Sequence, residues 1–416
     1  MCSPARASRF GSVGRAAALE VGALMAHETR MTRAGFLRSC GAAAAGALFG
    51  RRLLAGMDQR LRMPDAVRLD SWEVVEFPSL GRKRRLLMKV KVKTGRFGLS
   101  RPVGGCKDLA DAAKAVGDAN LLDHEVLHDR MVERGVPHAQ LATLDIACWD
   151  LHARLIGKPL HALLGTKRTK VLRYGDVRPA RGDFSPEQYA DKVARYFGYT
   201  KLDATKLHFP GAMGTKDSIP LGDVLETLLQ VRKAVGPEKI LAWDPYPRSA
   251  ESAAPSVAEA KEILALMDEL GYAWIEGPLP PVPFETQIPK YAELMKTGTK
   301  QRIQAEGPRS PIGDGTHFDV MKQWVEAGAV NQCSTDAYIA PGLTNALRML
   351  EYARTHPERR LVINLHWAWA PHAHLAMAYE EKILPLVEFP MGEDFPRDLL
   401  AGPHLLAPQD PGIYSI

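Results

Sequence analysis

The sequence predicts an α/β fold in which strands and helices alternate around a barrel. Two observations predict it and a third narrows it. Apolar runs of strand type recur at a steady pitch and stop on Asp244, Glu276, Glu306, Asp336 and His366, at steps of 32, 30, 30 and 30 residues. A strand, a turn, a helix and a return loop use about this length. From about residue 170, eight strand candidates alternate with seven helical patterns, the order of a (β/α) barrel. The rival is a doubly wound open sheet, whose dinucleotide-binding form carries a Gly-rich phosphate loop after its first strand. The chain has no such loop.

At the N-terminus, residues 32–48 run from Thr-Arg-Ala-Gly-Phe-Leu-Arg into a short stretch of small apolar residues. A basic start before such a stretch is the pattern of an export signal, and the stretch is too short to span a bilayer. It resembles a twin-arginine signal, with Ala34 where the second Arg belongs. The expectation is export on a degenerate signal at 31–48, with a disordered Ala/Arg-rich tail on a cytoplasmic protein as the alternative and Met31 as a candidate start.

Residues 66–99 carry strand patterns. Ala66–Phe77 and Leu86–Val92 read as an antiparallel hairpin, with a Thr-Gly turn at 94–95. Residues 107–134 read as helices with loops. In 139–156, Leu141, Leu144, Cys148, Leu151 and Leu155 fall at steps of three and four, a helical stripe that Ile146 and Trp149 widen. Gly157-Lys158-Pro159 stops that helix.

The barrel strands are expected at Val171–Tyr174, Ala204–Phe209, Ile240–Asp244, Tyr272–Glu276, Arg302–Glu306, Val330–Asp336, Leu361–His366 and Leu384–Glu388. The intervening helices are expected at Pro186–Tyr196, Leu221–Val235, Val257–Leu270, Phe284–Met295, Phe318–Ala327, Leu343–Arg354 and His372–Glu380. The Pro- and Gly-rich tail, 389–416, is not a βα unit and is expected to return to the first domain.

Composition sets limits. The chain of 416 residues is 46% hydrophobic and 25% charged, which suits a globular protein of one large α/β domain and a smaller one. Its net charge of +6 is carried wholly by residues 1–57, where eight Arg face Glu20 and Glu28. The rest is balanced and offers no overall basic excess to a nucleic acid. The five Cys are scattered without a CxxC pair and outline neither a disulfide framework nor a zinc site.

The chemistry is expected at the C-terminal strand ends, which share one face of a parallel barrel. Asp244, Glu276 and Glu306 would meet there. Three carboxylates repel unless a cation neutralises them, and a hard divalent ion, Mg²⁺ above all, takes oxygen ligands. Asp336 and His366 end the next two strands, where a carboxylate can orient an imidazole and raise its pKa for proton transfer. Lys206 and His208, two residues apart on the second strand, point to one face, and either could be a base on the opposite side of a substrate. Glu388, if protonated, could hydrogen-bond a developing enolate oxygen. His374 reads as packing, and His372 is left open.

Together these residues resemble the enolase superfamily, mandelate racemase subgroup, over about residues 66–416. The segment 139–165, with Leu-Asp-Ile-Ala-Cys-Trp-Asp-Leu and Gly-Lys-Pro-Leu-His-Ala-Leu-Leu-Gly, looks like the cap-to-barrel signature. Asp244, Glu276 and Glu306 match the metal ligands. Asp336, followed by Ala340-Pro341-Gly342-Leu343-Thr344, and His366 match the Asp–His dyad.

The resemblance implies an α/β fold of modified TIM-barrel type, (β/α)7β, at 166–388. An α+β capping domain at 58–165 would be completed by the tail, 389–416. It implies one Mg²⁺ per subunit and removal of a proton α to a carboxylate, with a Lys or His base. That proton is too weakly acidic for a side-chain base without charge neutralisation.

Two departures bear on the substrate. His208 stands where many relatives have the second Lys of Lys-x-Lys, which leaves Lys206 for the substrate carboxylate and His208 as a second acid/base. Pro245-Tyr246 stands where relatives often have a small residue and Asn. The sixth strand ends without Lys, against a cycloisomerase-like chemistry.

The expected function is dehydration of an acid sugar to a 2-keto-3-deoxy acid. The alternatives are a racemase or epimerase using His208 and His366, and an exported sugar-acid binding protein without turnover. A homo-oligomer is expected, with no nucleic-acid partner and no membrane span. The specificity loops are expected around 99–107 and 209–220.

Overall fold

A computed structural model describes residues 67–77, 85–178, 185–209, 220–245, 255–279, 284–305, 317–367, 369–389 and 400–414. The expected signal at 31–48, Glu306, Tyr246 and most of the 209–220 loop lie outside the described residues. Asp58–Ile416 form one compact unit.

The β/α alternation closes on itself. Strands β4 (Lys170–Val177), β5 (Ala204–His208), β6 (Ile240–Asp244), β7 (Trp274–Glu276), β8 (Arg302–Gln304), β9 (Gln332–Thr335), β10 (Val362–Leu365) and β11 (Leu386–Phe389) each pair in parallel with the next. β11 then pairs in parallel with β4, from Leu386↔Leu172 to Phe389↔Gly175. The result is an eight-stranded closed barrel.

Period two along each strand sorts the side chains into two layers. Leu207, Leu241, Trp243, Ile275, Ile303, Cys333, Ile363 and Val387 belong to the large core shared with the helices. Tyr174, Ala204, Ala242, Trp274 and Leu386 form a separate apolar cluster. These five fill the lower barrel interior, with Tyr174 and Trp274 in an edge-to-face pair 5.2 Å apart.

Six of the helices between the strands span Pro186–Thr200, Leu221–Val235, Val257–Leu270, Phe284–Met295, Phe318–Glu326 and Gly342–Thr355. The seventh, Ala370–Ala378, begins two residues before its expected start. Val257–Leu270 shows why these boundaries are readable. Ser256 and Glu259 form a reciprocal capping box, and Gly271 ends the helix in the left-handed region, each satisfying backbone groups that the helix leaves unpaired.

The N-terminal part is a three-stranded antiparallel sheet, β1 (Leu69–Phe77), β2 (Arg85–Val92) and β3 (Phe97–Ser100), with four helices: α1 (Ala110–Val116), α2 (His124–Glu133), α3 (His138–Ile156) and α4 (Leu160–Leu164). The sequence reading gave a hairpin. The turn at 93–96 in fact leads into β3, a third strand that pairs with β2. β3 packs directly on α3, where a Cβ at Gly98 would stand 2.0 Å from the Ala147 carbonyl oxygen.

Helix α3 is buried on two sides. Leu141, Leu144, Cys148 and Leu151 pack into the core under the antiparallel sheet, whereas Ala142, Ile146, Trp149 and Ala153 pack into the barrel-side core. Ile146 and Trp149 therefore form a second face.

The tail contains a further hairpin, β12 (Leu400–Ala401) and β13 (His404–Leu406), and β13 pairs antiparallel with the start of β4. The chain then reaches α3, where Ile413 N donates to Asp150 Oδ1 at 2.5 Å, while Leu99 N donates to Asp150 Oδ2 at 2.8 Å. Among the described residues no helix is long and apolar enough to cross a membrane.

Candidate active site

Two residues beyond the apolar plug, on the same inward-facing positions, the barrel interior changes from apolar to charged. Tyr174 is followed by Asp176, Ala204 by Lys206, Ala242 by Asp244, Trp274 by Glu276 and Leu386 by Glu388. Continuing the alternation from Asn364 leads to His366 just past β10.

Lys206 is the centre of one half. Its Nζ lies 3.2 Å from Glu276 Oε2, 3.0 Å from Glu388 Oε1 and 3.6 Å from Asp244 Oδ2. Its side chain is 4% exposed. Burial works against the ammonium, but Glu276 and Glu388 outweigh it and hold Lys206 well above the usual lysine range.

His208 lies between two carboxylates, with Nδ1 3.2 Å from Asp244 Oδ2 and Nε2 3.3 Å from Asp176 Oδ2. Burial lowers its pKa, yet these two acids raise it overall. Asp176 is the site residue that the sequence reading missed, since it closed the first strand at Tyr174. Burial opposes the Asp176 charge, and Lys206 and His208 overcome this to hold it below the usual range.

The charges do not balance. Four carboxylates, the buried Asp244, Glu276 and Glu388 and the half-buried Asp176, face three basic side chains: Lys206, His208 and, 3.4 Å from Asp176 Oδ2, the exposed Arg178. The strain shows in two of the carboxylates. Burial and the neighbouring Glu276 push Asp244 up to about 6. Burial, against the pull of Lys206, pushes Glu388 up to about 7.

The second half is the Asp336–His366 pair. His366 Nδ1 lies 3.0 Å from Asp336 Oδ2, and its side chain is 18% exposed while Asp336 is fully buried. Trp369 Nε1 donates to the same oxygen at 2.8 Å, and Tyr338 N donates to Oδ1 at 2.7 Å. Burial would raise Asp336, but the His366 hydrogen bond brings it below its usual value. Asp336 thus stays ionised beside the ring.

His372 is fully buried behind this pair. Ala337 N donates to its Nε2 at 3.0 Å, and its Nδ1 donates to the Trp367 carbonyl at 2.6 Å. Trp367 holds φ at +56°, a left-handed conformation costing a non-glycine residue about 1–2 kcal/mol. Such strain persists where surroundings over-determine it. His374 is buried too: it accepts from His161 N and faces the Ile413 carbonyl, both at 3.3 Å.

The two halves meet at Glu388, whose Oε2 accepts from Trp367 N at 3.1 Å. The structure therefore brings together Lys206, His208, Asp244, Glu276 and Glu388, and joins them through Glu388 and Trp367 to His366 and Asp336. Among the described residues, no group of three acid, His or Cys side chains could by itself hold a metal. The buried oxygens of Asp244 and Glu276, with more acid than cation around them, nevertheless suit a hard divalent ion.

The family model described as "Enolase C-terminal domain-like" matches residues 187–413. An L-talarate/galactarate dehydratase of Salmonella typhimurium is 24% identical over 299 residues, covering 68% of this chain and 66% of the relative. A D-gluconate dehydratase of Thermoproteus tenax is 33% identical over 129 residues, covering 29% of this chain and 24% of the relative. The matches thus span less than two thirds of either curated relative. The solved structure of a D-glucarate dehydratase from Agrobacterium tumefaciens complexed with magnesium superposes with a TM-score of 0.63 at 20% identity, covering 84% of this chain and 96% of the other. At that identity the likeness is one of fold.

Proposed function

The chain belongs to the enolase C-terminal domain-like family, and from that premise we propose that it is a Mg²⁺-dependent acid-sugar dehydratase. The observation that carries this reading is the Asp336–His366 pair, 3.0 Å apart, facing the Lys206 cluster from strands on the far side of the ring. The dehydratases among the relatives and the magnesium in the D-glucarate dehydratase structure support it.

Asp244, Glu276 and Glu306 would hold the ion. When bound, Mg²⁺ draws charge from the substrate carboxylate, so that the adjacent C2 proton becomes acidic enough to leave. Lys206, kept as an ammonium, binds the same carboxylate. His208 is gripped by Asp176 and Asp244 and holds Asp244 in orientation. Glu388, with its raised pKa, hydrogen-bonds the developing enolate oxygen.

Asp336 engages Nδ1 of His366, which gives proton transfer to Nε2. Neutral His366 takes the C2 proton, and the C2–H electron pair moves toward C1. The C3–O bond then breaks, and His366 returns its proton to the departing hydroxide as water. The resulting enol becomes the 2-keto-3-deoxy acid by losing its C2 hydroxyl proton and taking a proton at C3. His366 is chosen because Lys206 is held as an ammonium and because the Lys206 and His208 side chains are 4% and 6% exposed, against 18% for His366.

The test is carbonyl release from a panel of aldonates and aldarates, with Mg²⁺ and after its removal by EDTA. A 2-keto acid formed only with the ion supports the reading. Binding of a sugar acid with no carbonyl product from any panel member would overturn it.

A further inference from the structure

The opposite end of the barrel carries a second concentration of charge. A cavity of about 590 Å³ opens there, lined by Lys300, Arg302, Arg354, Arg360 and Lys382, with Asn331 beside them and, among the described residues, no Asp or Glu in its wall. These residues flank the N-terminal ends of β8, β9, β10 and β11. The catalytic groups stand at the other ends of the same strands.

Among the described residues only Arg354 has an acid of its own, with Nε 2.8 and 2.9 Å from the two oxygens of Glu351. Lys300, Arg302, Arg360 and Lys382 make no ion pair among the described residues. Arg302 is half-buried, and burial alone pulls its guanidinium below the usual range, with no carboxylate opposing. Arg360 stands at φ +50°, a left-handed conformation that glycine or asparagine would adopt at less cost.

Beyond residue 57 the chain has no excess of basic residues, so this grouping does not reflect a generally cationic surface. Cations gathered in a concavity repel one another unless an anion joins them. Arginine forks match the paired oxygens of carboxylate and phosphate. The volume suits a small molecule.

We propose that this cavity is a second ligand site, for a small oxyanion with at least two negative charges. Phosphate-bearing and polycarboxylate molecules share that chemistry, and two probes separate them. The site is independent of the catalytic assignment.

The experiment titrates inorganic pyrophosphate and citrate into the full-length protein by calorimetry, in EDTA and at two salt concentrations. The comparison is the double variant Lys300→Gln, Lys382→Gln, whose two positions are exposed. The expected result is one saturable site for at least one probe, weaker at high salt and weakened about tenfold in the double variant, with acid-sugar turnover unchanged. Tighter pyrophosphate binding assigns the phosphate class, and tighter citrate binding the polycarboxylate class. No saturable binding, or equal affinity in the double variant, would overturn the proposal. So would self-association of the parent that the double variant abolishes while neither probe binds, since an acidic face of a second copy would then be the occupant.

Discussion

Glu388 Oε1 lies 3.0 Å from Lys206 Nζ, while its Oε2 accepts from the backbone of Trp367 at 3.1 Å. One carboxylate thus ties the charged layer of the barrel to the segment that carries His366. Glu388→Gln keeps an acceptor for Trp367 N but removes the acid. Turnover should fall about a hundredfold, with a parent-like circular dichroism spectrum. Unchanged kcat would leave Glu388 a structural brace only.

Lys206 compensates three buried acids, and its loss exposes their repulsion. Lys206→Met should cost about 3–5 kcal/mol of stability in EDTA, measured by urea unfolding. Saturating Mg²⁺ should restore much of it, because the ion replaces the missing charge. Equal loss with and without Mg²⁺ would show that the ion does not bind beside Lys206.

Metal binding should separate from proton transfer. Glu276→Gln should weaken Mg²⁺ at least about tenfold, measured by calorimetry, because one charged oxygen ligand is lost. His366→Asn should leave Mg²⁺ affinity near the parent value while turnover drops by about 10²–10⁴. Parent-like activity in His366→Asn would remove the Asp336–His366 pair from the reaction.

Buried neutral histidines set an acid limit on stability. Burial lowers His152 to about 4 and His374 to about 3. In the unfolded chain each titrates near 6.5. Between about pH 6.5 and 4 the unfolded state binds protons that the folded state refuses, so stability falls as pH falls through that window. Unfolding midpoints at pH 7 and pH 5 check this, and a flat profile would contradict it.

The barrel was legible because each strand-helix unit repeats at nearly one length and ends on a charged residue. The Asp336–His366 pairing was legible from the adjacent strand ends, but which charges pair around Lys206 was not. Lys206 and His208 were candidates from their shared face, but only the closed ring shows His208 between Asp176 and Asp244. Asp176 was missed because Gly175 reads as the end of a strand. A Cβ at Gly175 would stand 1.8 Å from the Tyr196 hydroxyl, so the glycine marks a close approach and the strand continues to Val177. β3 escaped for a similar reason: it is four residues long and contains Gly98. In α3 the apolar stripe was plain, but that its two flanks enter different cores depends on what surrounds the helix.

The central claim is that His366 removes the proton beside a carboxylate and then helps expel water. Proton NMR in D₂O, with Mg²⁺ and a panel of aldonates and aldarates, tests it most directly. The account predicts loss of a C2–H signal in step with a 2-keto-3-deoxy product deuterated at C3, and neither change in His366→Asn. C2 exchange without a keto product, or a panel that shows neither, would contradict it.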